Sequence, residues 1–187
     1  CNGNGCQLLL NPKEEEEEGN AAVQLCDHDL ITSTQHGLLN PCSQPGRLQG
    51  HRAHDHDLEQ DGFSKNPFFH GIIAEVPEQH KTKEGHTKIG YALYFYSYSS
   101  WSGRAIYMED LYVMPEFRGK GVGKALMSKV AQLGLAAGCH QLNFTVLNWN
   151  KPSMDFYLSQ GCFDVTATMD YHCMRCEGEA LKHLAQL

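Results

Sequence analysis

The chain has no apolar run near the roughly 18–20 residues that a membrane span needs. Nor does it show a charged start followed by an apolar stretch, the mark of a signal peptide. Basic residues are scarce: 15 Lys and Arg stand against 22 Asp and Glu, a formal charge of -7. That balance argues against nucleic acid as the main partner, because a phosphate backbone calls for a basic face. A cationic substrate suits it better, since an acidic surface attracts one at long range. The eight cysteines, Cys1, Cys6, Cys26, Cys42, Cys139, Cys162, Cys173 and Cys176, lack a regular spacing. Cys173 and Cys176 make one C-x-x-C, but a structural zinc takes four ligands and no second pair lies at finger spacing. The expectation is therefore a cytoplasmic protein with reduced thiols and no metal.

Residues 1–56 also lack any sustained apolar period of 2 or 3.6. They carry Gly-Asn pairs, scattered prolines and the acidic run Glu14–Glu18, a composition that predicts disorder. His51, His54, Asp55 and His56 read as a flexible polar tract rather than a metal site, because nothing fixes them in space. Residues 57–187 are a different kind of sequence and are expected to hold the one folded domain.

Phe68–Val76, Lys88–Tyr98 and Ala105–Met114 are rich in aromatic and branched residues and predict strands. Pro77–Thr87, with Pro, Gly and charges, predicts the hairpin loop between the first two. Val122, Leu126, Val130, Leu133 and Ala137 recur at helical spacing, so Gly123–Ala137 predicts a helix closed by Gly138. Gln141–Leu147 predicts a strand, and Pro152–Gln160 a short helix with its proline in the first turn. Phe163–Arg175 predicts a final pair of strands and Glu179–Gln186 a last helix. Strands interleaved with helices make the class α/β (α+β).

The sharpest motif is Arg118-Gly119-Lys120-Gly121-Val122-Gly123, which follows a strand and opens a helix. The first amides of a helix have no internal partner and sit at the positive end of its dipole. A phosphate placed there receives several hydrogen bonds. Glycines at alternate positions let the backbone come close and adopt positive φ. The spacing is neither a Walker loop nor G-x-G-x-x-G. On spacing alone, a glycine-rich turn without a ligand stays open as the alternative.

The run Arg118–Gly123 resembles the pyrophosphate loop of the GNAT superfamily. The stretch from Gly103 to Gly123, the run Asp61–His70 and the run Asn148–Tyr157 resemble its diamine acetyltransferases in particular. The resemblance covers Asp57 to the C-terminus. It implies a mixed sheet flanked by helices and acetyl-CoA as co-substrate, held between two splayed parallel strands at Leu111–Val113 and Asn143–Thr145. Leu111 and Val113, with Tyr112 between them, would pair with the pantetheine arm like an added strand. Gly119, Lys120, Gly121, Val122, Gly123 and Lys124, headed by Arg118, would hold the pyrophosphate. Asn150, Lys151, Pro152 and Ser153 would line the cofactor from the other side.

The reaction so implied is amine attack on a thioester, in which the ammonium must lose a proton and the leaving sulfur gains one. Tyr157 matches the family's catalytic tyrosine; a phenol, with pKa ~10, keeps its proton at neutral pH. Glu109 matches the glutamate that accepts the amine's proton, through water, and a backbone N–H near Val113 would take the thioester oxygen. From the residues alone, a core aromatic of a short helix is the favoured reading of Tyr157. Glu109 and Asp110 are adjacent, so in a regular strand they face opposite sides, and whichever faces inward needs a partner or a task. Trp101 is either a wall of the substrate site or a packed loop anchor. Asn143, Phe144 and Thr145 would also border the amine.

Polyamine-preferring members of the family resemble Tyr-Asp-Pro-Trp ahead of this strand, whereas this chain has Tyr98-Ser99-Ser100-Trp101. Ser99 removes a carboxylate contact worth about 1–3 kcal/mol, and the sequence there looks like the thialysine N-epsilon-acetyltransferase branch. A lysine-like amine such as thialysine is thus favoured over spermidine, and a homodimer is implied. The family's first strand and two helices, which should precede Asp57, are not readable. The N-terminal part is therefore expected to be missing or altered, and a catalytically impaired, CoA-binding chain is the further alternative.

Overall fold

The structure, a computed structural model, describes residues 22–25, 55–169 and 172–186. The chain forms two compact units, Cys1–Phe144 and Thr145–Leu187.

The first unit is built on one mixed five-stranded sheet in the order β1-β2-β3-β4-β5. Its strands are β1 (Ala22–Leu25), β2 (His70–Glu75), β3 (Lys88–Ser99), β4 (Gly103–Val113) and β5 (Gln141–Asn143). The first four run antiparallel to their neighbours. β5 runs parallel to β4, reached through helix α2 (Val122–Ala136). Helix α1 (Asp55–Phe63) precedes β2. β1 lies in the tract whose composition predicts disorder, and four residues are too few to show alternation. The histidine cluster's His51 and His54 lie outside the described residues, as do the remaining residues ahead of α1.

One face of the sheet carries Ile72, Ala92, Ile106 and Met108, all buried, under Leu126, Met127 and Val130 of α2. The opposite face carries Ile73, Tyr91 and Leu93, packed by Phe63, Phe69, Tyr112 and Met114. The buried stripe of α2 is rotated slightly from the expected one, with Met127 and Gly134 buried in place of Leu133 and Ala137. Gly134 explains the rotation: a Cβ there would stand 2.9 Å from Ile106 Cγ2, so only glycine lets the helix approach β4 this closely. Gly134→Val should therefore cost about 1–3 kcal/mol by overpacking, read as a lower midpoint in urea unfolding.

The end of α2 is a Schellman motif. Cys139 N donates to Gly134 O (2.9 Å) and Gly138 N to Leu135 O (3.0 Å), with Gly138 at φ 76° as that motif requires. Arg104 clamps this end to the start of β4, its Nη1 donating to Ala137 O at 3.1 Å.

The second unit holds α3 (Lys151–Ser159), α4 (Val165–Met169) and α5 (Gly178–Leu184). Two expectations are corrected here. The strand expected over Gln141–Leu147 stops at Asn143. The final strand pair expected over Phe163–Arg175 does not form among the described residues; Val165–Met169 is helical instead. Asp164 is the local cause: its Oδ1 accepts from Thr166 N (3.0 Å) and Ala167 N (3.4 Å). That is the bonding of an N-cap, and it outweighs the β preference of Val165 and Thr166.

Candidate active site

β4 is paired along its whole length by β3, but by β5 only at Ala105–Tyr107, opposite Gln141–Asn143. From Met108 to Val113 no strand among the described residues covers that second edge. The backbone of Leu111, Tyr112 and Val113 therefore presents an open edge able to pair with an extended amide-bearing ligand. Asn143 ends β5 and Phe144 follows it within the same unit.

A 3-10 turn, Pro115–Phe117, leads from this edge to the glycine loop. Gly119 and Gly121 have φ of 75° and 80°, and a Cβ at either would meet nothing within 4 Å. These glycines thus serve backbone conformation and not close packing. Gly121 is the N-cap of α2, no side chain caps the helix, and its first turn holds no acid. The leading amides at Val122, Gly123 and Lys124 therefore have no competing side-chain acceptor, and the helix dipole favours an anion there. Lys120 Nζ lies 5.5 Å from the Phe117 ring, in the exposed part of the loop.

Arg118 has a role that its position in the motif did not reveal. Its Nε donates to Val113 O at 2.9 Å, and its guanidinium lies 5.9 Å from the Tyr112 ring centroid. It ties the glycine loop to the end of the open strand edge. No sequence signal marks this bond, because the reach depends on the intervening 3-10 turn.

An open strand edge that runs into an uncapped, glycine-led helix start fits the pantetheine and pyrophosphate of CoA. The comparisons agree. The model of the acetyltransferase (GNAT) family matches residues 39–162. Thialysine N-epsilon-acetyltransferase of Bos taurus is 47% identical over 128 residues, 68% of this chain and 75% of the relative. Spermidine/spermine N(1)-acetyltransferase-like protein 1 of Homo sapiens is 36% identical over 129 residues, 69% of this chain and 18% of that longer relative. An aminoglycoside N-acetyltransferase solved in complex with CoA aligns at TM-score 0.62 over 90% of this chain and 99% of its own, at 19% identity. This last likeness is one of fold.

The chain belongs to the GNAT acetyltransferase family.

In this GNAT chain the adjacent acids of β4 do not alternate across the sheet as a regular strand would have them. Tyr94 pairs with Met108 and Leu93 with Asp110, so Glu109 is the extra residue of a bulge. The bulge puts Asp110 on the face of Leu93 and Tyr91, and without it Asp110 would share the face of Met108 and Ile106. Glu109 and Asp110 are both exposed as residues, which corrects the expectation that one of them turns inward. Protein around the Asp110 carboxyl nonetheless raises its pKa by desolvation, with the charge of Glu109 a smaller second cause.

A raised folded-state pKa means that Asp110 holds its proton more tightly in the folded chain than in the unfolded one. Stability then falls as pH rises from the unfolded carboxylate value through the folded one. Asp110→Asn should raise the melting temperature at neutral pH, and the gain should vanish near pH ~3, where both states are protonated. Solvent contact keeps the effect small. An equal gain at all pH values would contradict this origin.

Ser99 sits at the β3–β4 turn, where its Oγ accepts from Trp101 N and from Ser102 N, each at 3.2 Å. A hydroxyl has two acceptor lone pairs, so the turn uses both. Trp101 is 88% exposed and packs on no core, which removes the loop-anchor reading.

The remaining predicted residues lie in the second unit. Asn150 caps α3, its Oδ1 accepting from Ser153 N at 3.4 Å, with Pro152 in the first turn. Lys151 Nζ donates to Asn148 Oδ1 at 3.1 Å. Tyr157 is half-buried on the same helix, its ring 5.3 Å from that of Phe156 in an edge arrangement. Thr145 opens the unit.

Proposed function

We propose that this chain transfers an acetyl group from acetyl-CoA to the primary amine of a small lysine-like substrate, with thialysine preferred to spermidine. The observation that carries the reading is the open β4 edge feeding the uncapped glycine loop, in a chain more similar to the bovine thialysine enzyme than to the human spermidine/spermine-like one. Bound acetyl-CoA supplies the activated thioester. Leu111, Tyr112 and Val113 pair with its extended arm, and Arg118 to Lys124 hold its diphosphate on bare amides. Asn150, Lys151, Pro152 and Ser153 are the further residues assigned to binding it.

Glu109, exposed on the bulge, accepts the ammonium proton through water. Asp110 beside it adds negative charge that draws in the cation. Tyr157 Oη holds the proton that the departing sulfur takes up. The backbone N–H near Val113 donates to the carbonyl oxygen of the acetyl group. Trp101, Asn143, Phe144 and Thr145 border the amine. The protein works as a cytoplasmic homodimer; Phe163, Met169, Leu181 and Leu184 are each exposed large apolar side chains, which supports association with a second copy.

Rates with thialysine, lysine and spermidine test the reading, with thialysine expected to give the highest kcat/KM. No acetylation of any of these amines would reject it. Ser99→Asp sharpens the test. A carboxylate keeps the two turn contacts and has lone pairs left for a distal ammonium. Spermidine kcat/KM should rise about tenfold, from a charged hydrogen bond of about 1–3 kcal/mol, with thialysine nearly unchanged.

A further inference from the structure

Acetyl transfer gives no task to the C-x-x-C near the end of the chain. Four thiols lie among the described residues, and all four are free. Cys139 is buried, and Cys162 is half-buried with its thiol pKa pushed up by burial. Both are poorly placed to react, because the thiolate is the nucleophile and it needs access. Cys173 and Cys176 are exposed. Residues 172–177 carry no helix, strand or turn, so drawing the two cysteines together breaks no regular backbone bonding. Arg175 between them points its guanidinium to Glu177, 3.8 Å away on the surface, and does not stand between the thiols as part of a packed core.

A disulfide needs Cα atoms about 4.4–6.8 Å apart. Residues three apart come within about 7 Å in any β-turn. One turn over Cys173–Cys176 is therefore enough to bring the sulfurs into bonding range.

We propose that Cys173 and Cys176 form a reversible dithiol–disulfide site whose reaction partner is a small-molecule disulfide of the glutathione type. One cysteine thiolate attacks a sulfur of the small disulfide. The S–S bond breaks, one thiol leaves, and a mixed disulfide remains on the protein. The second cysteine thiolate attacks the protein-side sulfur, forms the Cys173–Cys176 bond and releases the second thiol. The protein loses two electrons and two protons, and the small disulfide gains them as two thiols. A tight four-residue loop makes this bond the labile kind that a thiol pool can reverse.

The test uses the full chain in glutathione buffers of stepped oxidation, quenched by alkylation and mapped by peptide mass. The peptide that spans Cys173 and Cys176 is expected to lose two hydrogens while Cys139 and Cys162 remain alkylated, and dithiothreitol should restore it. Cys173→Ser or Cys176→Ser should instead hold a glutathione adduct on the remaining cysteine. Phenylarsine oxide, which bridges two close thiols, should bind the wild-type site and neither variant. Separate adducts on both cysteines without an internal bond would overturn the proposal. So would disulfides from this pair to other cysteines, or a zinc ion shielding both from alkylation. None of these readouts depends on acetyl transfer.

Discussion

Replacing Tyr157 with Phe is expected to lower kcat for thialysine acetylation by about 10²-fold or more, the range a positioned proton donor contributes. KM for acetyl-CoA should stay near its starting value. The substitution removes the phenol hydroxyl and keeps the ring. Helix α3 is set by the Asn150 cap, by Pro152 in its first turn and by Cys162 N donating to Tyr157 O at 3.2 Å. None of those bonds uses the phenol, and the ring contact with Phe156 is open to phenylalanine as well. A melting curve close to the parent's would show that the loss is chemical. An unchanged kcat would take the proton-donor role away from Tyr157.

Gly121→Val should act on the other half of the reaction and raise KM for acetyl-CoA about tenfold or more, with kcat at saturation much less affected. Gly121 holds φ 80° and ψ -7° at the N-cap of α2. A residue with a Cβ costs roughly 1–2 kcal/mol in that left-handed conformation, and a branched one is stiffer still. Because a Cβ at Gly121 would meet nothing within 4 Å, relief by a neighbour's movement is not available and the backbone itself must turn. Turning it redirects the leading amides of the helix. Each 1.4 kcal/mol of lost anion binding is tenfold in affinity. An unchanged KM with an intact fold would mean that the diphosphate sits elsewhere.

These two residues differ in how far the sequence alone could have located their roles. Gly119, Gly121 and Gly138 are legible because positive φ is a local demand that only a few residues meet at low cost, and all three adopt it. Helix α2 is legible because its apolar period repeats over fifteen residues, and strands β2, β3 and β4 because their segments are rich in aromatic and branched residues. Short elements are not. Ala22–Leu25 and Gln141–Asn143 carry too few residues for a period to show. Across Phe163–Arg175 the branched residues suggested strands, while a single Asp164 side chain bonding to the next amides was sufficient to start a helix. Tyr157 is legible only as a match to a family motif; its residue type and spacing fit a core aromatic as well.

The amino-acid sequence by itself determined the glycine loop, its position between a strand and a helix, and the acidic balance that suits a cation. The first two are properties of neighbouring residues and the third of composition. Only the tertiary structure decided that Glu109 is the bulged residue and that Asp110 shares a face with Leu93. It also decided that β4 keeps an open edge beyond Tyr107, and that Arg118 reaches back to Val113 O. Those are relations between segments. Strand side chains alternate with a period of two, so one extra residue in the pairing reassigns every side chain beyond it, and no window of sequence contains the partner strand that sets the count.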